Sequence, residues 1–313
     1  MVKQQLFKKE GTLRMISIRP KKQQKIPRQR RLQLSSACFL APSFLGVLVF
    51  FVIPFFVVIY YSLVDNPVKK NFVGLQNFIK LFSNTAFLQA AKNTLLFSCI
   101  AVPLAVVLSL VLAVALEEKI PLKSQFRTFF LSPLVVPVAS VVLIWQVIFH
   151  YNGALNGFLS LFGVEAIDWL SSRWSQLVIV VLYLWKNLGY NMVLFMSALS
   201  NIPKEPLEAA AIDGASKRTI FFRLKLRYLS PSIFFVVIIS LINSFKVFRE
   251  IYLLTGDYPY ETLYMLQHFM NNTFRSLDYQ KLAAAAVIMF LVMVLVIGLL
   301  FWAEGKLGKD LEQ

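Results

Sequence analysis

The sequence has little charge: of its 313 residues only 15% are Asp, Glu, Lys or Arg, against 58% hydrophobic. So little polar material cannot clothe one or two water-soluble domains, and lipid is the natural solvent of such a chain. Cysteine is nearly absent, and Cys38 and Cys99 both sit in apolar runs, which excludes a disulfide framework and metal-ligand spacing. The two histidines, His150 and His268, have no metal-binding or Ser-His-Asp context and read as satisfied side chains near an outer interface. No G-x-x-x-x-G-K-[ST] occurs to cradle a nucleotide, and no G-x-S-x-G or H-E-x-x-H. Clustered carboxylates at one interface are also missing, so the chain is not expected to be an enzyme. Acid is scarcer than base, with 16 Asp and Glu facing 32 Lys and Arg for a formal charge of +16. Eleven of those bases fall in the first 36 residues, ahead of a charge-free run over 32–64. That placement points to membrane topology and not to nucleic acid.

What the chain does have is long apolar runs. The first exceeds what a hydrocarbon core of about 30 Å requires, is too long for a secretory signal and lacks a small-residue cleavage site. It reads as an uncleaved membrane helix. Six spans are predicted, at 37–61, 93–116, 127–149, 175–199, 229–253 and 281–303. Tyr151-Asn152-Gly153 is a turn signal that ends the third near Phe149, and the rest of that apolar window reads as loop. Backbone polar groups must be satisfied inside lipid, so the fold class is all-α, a polytopic membrane protein. Lys and Arg number 22 on the side of both termini and six on the other, which makes both termini cytoplasmic. Tyr60, Tyr61, Trp169, Trp174, Tyr252, Tyr258 and Trp302 fall near predicted helix ends, as an interfacial belt requires. The organisation is then a basic cytoplasmic tail (1–36) able to rest on anionic lipid, a first helix (37–61), a five-helix core (90–303) and a cytoplasmic tail (304–313).

The longest cytoplasmic loop, 201–228, carries the most information. Pro206 suits a first helical position, Glu208 to Ile212 favour helix with a carboxylate at the positive end of the dipole, and Asp213-Gly214 breaks it. A second amphipathic piece sets Ile220, Phe221 and Leu224 apolar, with Lys217, Arg218, Arg223 and Lys225 toward water or head groups. A turn this tight calls for positive φ at Gly214, which glycine reaches without a Cβ penalty. A helix, a turn and a second helix at the membrane surface could be an ordinary hairpin, or could insert in a partner's groove.

Glu208-Ala209-Ala210, then Asp213-Gly214-Ala215, a Phe at 221 or 222 and Pro231 resemble the EAA loop of binding-protein-dependent ABC transporter permeases. That pattern is roughly EAA, three residues, G, nine residues, I-x-L-P; Leu226 takes the Leu position and Arg227 stands where Pro usually follows. Asn93-Thr-Leu-Leu-Phe97, Arg127-Thr-Phe-Phe-Leu-Ser-Pro133 with Pro137, Ile144-Trp145 and Phe248-Arg-Glu-Ile-Tyr-Leu-Leu-Thr-Gly256 extend the likeness to the maltose and glycerol-phosphate branch. The resemblance implies the MetI-like fold of type I ABC importers. It implies that Glu208, Ala209, Ala210, Asp213, Gly214 and Ala215 contact an ATP-binding subunit. It also implies a second homologous permease, two ATP-binding subunits that hold ATP and Mg, and an extracytoplasmic solute-binding protein. This chain would hold no cofactor and would help import carbohydrate, most simply an oligosaccharide.

Two helices carry charge toward their centres, at roughly 2.5 to 3.5 kcal/mol per charge on insertion scales. On the fourth, Tyr183, Lys186, Asn187 and Tyr190 fall within about 100° of arc; on the fifth, Asn243, Lys246, Arg249 and Glu250 fall within about 120°. By the resemblance these stripes line the path and touch sugar. Aromatic rings stack on sugar faces and amides bridge hydroxyls. Lys186, Lys246 and Arg249 exceed what a neutral sugar needs, and a uronate oligosaccharide would answer them. Against this, Lys246 can pair with Glu250 at i, i+4, Arg249 can snorkel, and Lys186 can meet a partner's carboxylate. Two rival functions stay open: an ion-coupled secondary transporter relying on Glu250, and a membrane scaffold whose stripes pair with protein.

Overall fold

The computed structural model describes residues 39–117 and 122–308, with side chains to 306. The basic tail over 1–36 and the last residues of the C-terminal tail lie outside the described residues. Among those described, every element is helical apart from one isolated antiparallel bridge, Val64 to Phe72. Six helical segments are long and apolar enough to cross a membrane: Phe39–Ser62, Thr85–Ala115, Val138–Ser160, Ser175–Ser200, Lys217–Thr255 and Tyr279–Lys306.

The chain divides into two units at Phe55. The first contributes the opening of α1 (Phe39–Ser62), which passes through a π turn at Leu48–Val52 where the N–H of Ile53 reaches back to the Leu48 carbonyl. Pro54, which has no N–H to offer, follows directly. The second unit continues with α2 (Gln76–Phe82), α3 (Thr85–Ala115), α4 (Lys123–Val135), α5 (Val138–Phe149), α6 (Ala154–Ser160) and α7 (Ser175–Ser200). After these come α8 (Lys204–Ile212), the single turn α9 (Lys217–Thr219), a π turn (Ile220–Lys225), α10 (Leu226–Lys246), α11 (Phe248–Thr255), α12 (Leu266–Arg275) and α13 (Tyr279–Gly308). Hydrogen bonds from Gln146 to Leu254, Ser175 to Thr262 and Asn93 to Glu261 gather 150–174 and 256–278 at the end of this unit where α7 begins, and 201–216 follows the end where α7 stops.

Helix α7 is the axis of the second unit. Its upper half packs Val178, Ile179, Leu182 and Tyr183 against Phe97, Ala101 and Ala105 of α3, while Met192, Phe195 and Leu199 pack against Val102, Val106, Leu229 and Val236. Small residues on α3 let the backbones approach, which is how helices associate where lipid removes most of the hydrophobic drive. The closest approach is at Gly189: a Cβ there would overlap the Phe130 carbonyl of α4, so only glycine fits. Within α4, Pro133 leaves the Phe129 carbonyl without its helical donor, and Ser132 Oγ donates to it at 2.7 Å.

Several boundaries differ from the sequence expectation. The third span, predicted as one helix over 127–149, is two helices, because Val136 takes an extended conformation (φ −77°, ψ 128°) ahead of Pro137. Steric conflict with the proline ring drives the preceding residue out of the helical region. The stretch after Tyr151-Asn152-Gly153, predicted as loop, holds α6. Helix α3 begins at Thr85, eight residues before the predicted 93, with Asn84 as its N-cap accepting from the Phe87 N–H at 3.0 Å. The fifth span is interrupted at Val247 between α10 and α11.

Candidate functional site

The two polar stripes meet. Asn243 Nδ2 of α10 donates to Asn187 Oδ1 of α7 at 2.9 Å, and Asn187 Nδ2 donates to the Tyr183 carbonyl at 2.8 Å. The Tyr183 hydroxyl donates to the Ser240 carbonyl at 2.6 Å, and Asn191 Nδ2 to Ser240 Oγ at 2.9 Å. Ser98 and Ser244 share a hydrogen bond of 2.9 Å between α3 and α10. Lys186 of α7 forms an ion pair with Glu250 of α11, directly past the break at Val247. Glu250 therefore pairs across helices with Lys186 and not, as the i, i+4 spacing allowed, with Lys246. It is also the acid on which an ion-coupled carrier would rely, and this salt bridge occupies it.

Tyr183, Lys186, Asn187, Asn243, Lys246 and Glu250 line a cavity of about 170 Å³. That is below the roughly 300 to 1,000 Å³ of most ligand pockets. Tyr183 is buried with its ring edge-on to Phe97 at 5.5 Å, so it offers the cavity little of its ring face. Tyr190 and Arg249 are exposed and lie outside this lining. The side chains of Lys246 and Arg249 make no hydrogen bond or ion pair among the described residues, whereas the charge of Lys186 is matched. On α7 and α11 the buried acceptors Glu250 Oε2 and Asn191 Oδ1 have no partner among the described residues. Ser240, Ser244 and Asn191 were not singled out in the sequence. The signal was present in the fourfold spacing of Asn187 and Asn191 and of Ser240 and Ser244, each pair on one helix face.

The second candidate region is the 201–228 loop, and it has the predicted shape of a helix, a tight turn and a second helix. Helix α8 starts at Lys204, so Pro206 is the third helical residue and Glu205, not Glu208, lies in the first turn. Pro206 is tolerated there because first-turn N–H groups have no intrahelical acceptor. The helix ends in a Schellman motif: the Ala215 N–H donates to the Ala210 carbonyl at 3.0 Å and the Gly214 N–H to that of Ala211 at 3.1 Å. Gly214 has φ +82°, the left-handed conformation expected of it. Ser216 then caps α9 by accepting from the Thr219 N–H at 3.2 Å. The root of the loop is fixed, with Ile202 buried and Leu207 packed on the core. Its outer side is bare: Glu208, Ala209, Asp213 and Gly214 are exposed, Ala210 and Ala215 half-buried, and Ile212 at the tip is 86% exposed.

His268 departs from the expectation of a satisfied interfacial side chain. It is fully buried on α12, where Nδ1 accepts from the Met265 N–H at 3.2 Å and Nε2 has no partner. Burial pushes its pKa down to about 4, with the Asp257 carboxylate opposing. His150 is exposed, and its Nδ1 accepts from the Asn152 N–H at 3.2 Å. Among the described residues no group of three or more His, Cys, Asp or Glu could hold a metal ion.

Residues 105–309 match the family described as "Binding-protein-dependent transport system inner membrane component". The probable ABC transporter permease protein YurN of Bacillus subtilis is 31% identical, over 87% of this chain and 96% of its own length. The lactose transport system permease protein LacF of Rhizobium radiobacter is 30% identical, over 84% of this chain and 91% of its own. In three dimensions the chain is similar to a subunit of a bacterial ABC transporter involved in the import of the acidic polysaccharide alginate. That likeness has a TM-score of 0.78 and 19% identity, and covers 89% of this chain and 98% of the other. On its sequence match and its all-α architecture of six apolar spans, the chain belongs to the binding-protein-dependent transport system inner membrane components, multi-pass permeases of ABC transporters with the MetI-like fold.

Proposed function

We propose that this chain is one of two permease subunits that form the path of an ATP-driven carbohydrate importer, and that 208–215 is its contact with an ATP-binding subunit. The observation that carries the reading is the loop: a rigid root, a backbone-closed glycine turn, and an outer face on which Ile212 finds nothing to pack against. Lys and Arg counts of 22 against six put this loop on the cytoplasmic side, where ATP is available. Glu208, Ala209, Ala210, Asp213, Gly214 and Ala215 are the coupling residues of this reading. ATP and Mg are held by the partner, and closure of the partner moves the loop as a lever on α7 and α10, which it joins.

The small cavity between those helices is one wall of the path, and a second, homologous permease supplies the facing wall. An extracytoplasmic binding protein delivers the solute. The lactose permease named among the relatives supports carbohydrate as the substrate class. Asn187 and Asn243 offer amides to hydroxyls, and the unpaired Glu250 Oε2 and Asn191 Oδ1 are acceptors that a hydroxyl or water would satisfy. Within that class we favour an anionic glycan, because Lys246 on the cavity lining keeps unmatched positive charge once Lys186 has paired with Glu250.

Gly214→Asp tests the coupling. In the reconstituted complex this variant should continue to hydrolyse ATP while uptake falls to background, and uptake at the normal rate would remove the assignment. For the substrate, Lys246→Gln should reduce uptake of a uronate oligosaccharide much more than that of a neutral one. Equal losses would rule out the anionic reading.

A further inference from the structure

Beside the loop, where α3 ends, the π turn Ile220–Lys225 borders a groove of about 520 Å³ that none of the six coupling residues lines. Its wall is apolar, with Val114 of α3, Ile220, Phe221 and Phe222, the last 66% exposed and edge-on to Phe221 at 5.1 Å. Its rim is cationic, with Lys217, Arg218 and Lys225. Lys225 donates to both carboxylate oxygens of Glu117 at 2.7 Å, which holds its ammonium in place and offsets its charge. Lys217 and Arg218 are exposed, and their side chains have no ion pair or hydrogen bond among the described residues. The unmatched charge at the rim is therefore positive.

The level of the groove matters as much as its charge. Val114 lies in the last turn of an apolar span, and Glu117 is the first charge after it, so this is where hydrocarbon gives way to head groups. A site with two cations above and an aromatic and aliphatic wall below matches an amphiphile. A free phosphate would leave the wall unused, and an apolar peptide would leave the cations unanswered. The π register is uncommon in helices and concentrates where a side chain serves a function beyond the helix.

We propose that this groove binds an anionic phospholipid, with its phosphate at Lys217 and Arg218 and the head of its acyl chains on Val114 and Phe222. The site is independent of what is transported, and its test measures lipid alone. The purified complex would be titrated with phosphatidylglycerol and with phosphatidylcholine, and bound lipid counted by native mass spectrometry. Wild type should prefer phosphatidylglycerol. At about 1 kcal/mol, or about fivefold, per cation, K217Q/R218Q should lose about 25-fold of that preference. K217R/R218K, which keeps both charges, should retain it and so separates lost charge from lost folding. Equal binding of the two lipids, or a preference unchanged in K217Q/R218Q, would overturn the proposal. Displacement of the lipid by inorganic phosphate would assign the rim to a soluble anion instead. Loss of the ATP-binding subunit from K217Q/R218Q with lipid binding intact would assign it to protein docking, and either result contradicts the proposal.

Discussion

The two ends of the second unit are held in opposite ways. At the end carrying 256–278, asparagines tie the connections together: Asn77 Nδ2 donates to the carbonyls of Ser62 and Val64 at 2.9 and 2.8 Å, and Asn93 Nδ2 to those of Glu261 and Tyr264 at 2.6 and 3.0 Å. Asn156 uses its whole amide, donating to the carbonyls of Tyr151 (2.8 Å) and Ile167 (2.7 Å) and accepting from the Ile167 N–H (3.2 Å) and Trp169 Nε1 (2.8 Å). Asn272 Nδ2 adds a bond of 3.1 Å to the Asp257 carbonyl. At the other end, 204–219 is closed by its own backbone and the Ser216 cap, and Glu208, Ala209, Ile212 and Asp213 on its outer face are left exposed by the described residues. A buried amide between carbonyls of distant segments fixes loop geometry with no help from outside, because leaving any of those groups unpaired costs about 1 to 3 kcal/mol. A backbone-capped hairpin keeps its shape but not its surroundings. The contrast assigns rigidity to the first end, and on the proposed function the second is where a partner docks.

The largest effect is expected at Asn156. Asn156→Ala removes a buried amide that makes four hydrogen bonds to partly exposed groups and should cost about 3 kcal/mol, read as lowered thermal stability in detergent. Next is pH at the same end. His268 is held neutral, with a pKa near 4 against 6.5 when unfolded, so the unfolded state binds the extra proton between those values. Stability is therefore full above pH 6.5 and falls as pH drops through 4, by up to about 3 kcal/mol. His268→Asn, whose Oδ1 can still accept from the Met265 N–H, should flatten that dependence. The smallest stability change belongs to the other end, where Gly214→Asp forces a Cβ into left-handed φ at about 1 to 2 kcal/mol while abolishing coupling. A melting shift at Gly214→Asp as large as that at Asn156→Ala would erase the contrast.

Much of this was legible in the sequence. The six spans follow from long apolar runs with little or no charge, and the hairpin from Pro, Ala and Asp213-Gly214, because each of these signals is local. Positive φ at Gly214 could be stated in advance, since few residues other than glycine turn a chain so tightly. Contacts between distant segments were not legible. The spacing of Lys246 and Glu250 fits a local ion pair, yet Lys186, 64 residues away, takes the carboxylate. The break at Val136 had a cue in Pro137, while that at Val247 has no Pro or Gly beside it. Gly189 looked like any glycine in a membrane helix until the Phe130 carbonyl was found against it. The Asn93 ties needed the tertiary fold, since their carbonyl partners lie 168 and 171 residues away.

The most direct test of the central claim is a cross-link from the bare tip of the loop. In a background lacking Cys38 and Cys99, Ile212→Cys with a short bifunctional reagent should link this chain to a copurifying ATP-binding subunit, with a yield that changes when ATP is added. Cross-links that never reach such a subunit, or uptake by the purified chain alone in proteoliposomes, would contradict the account.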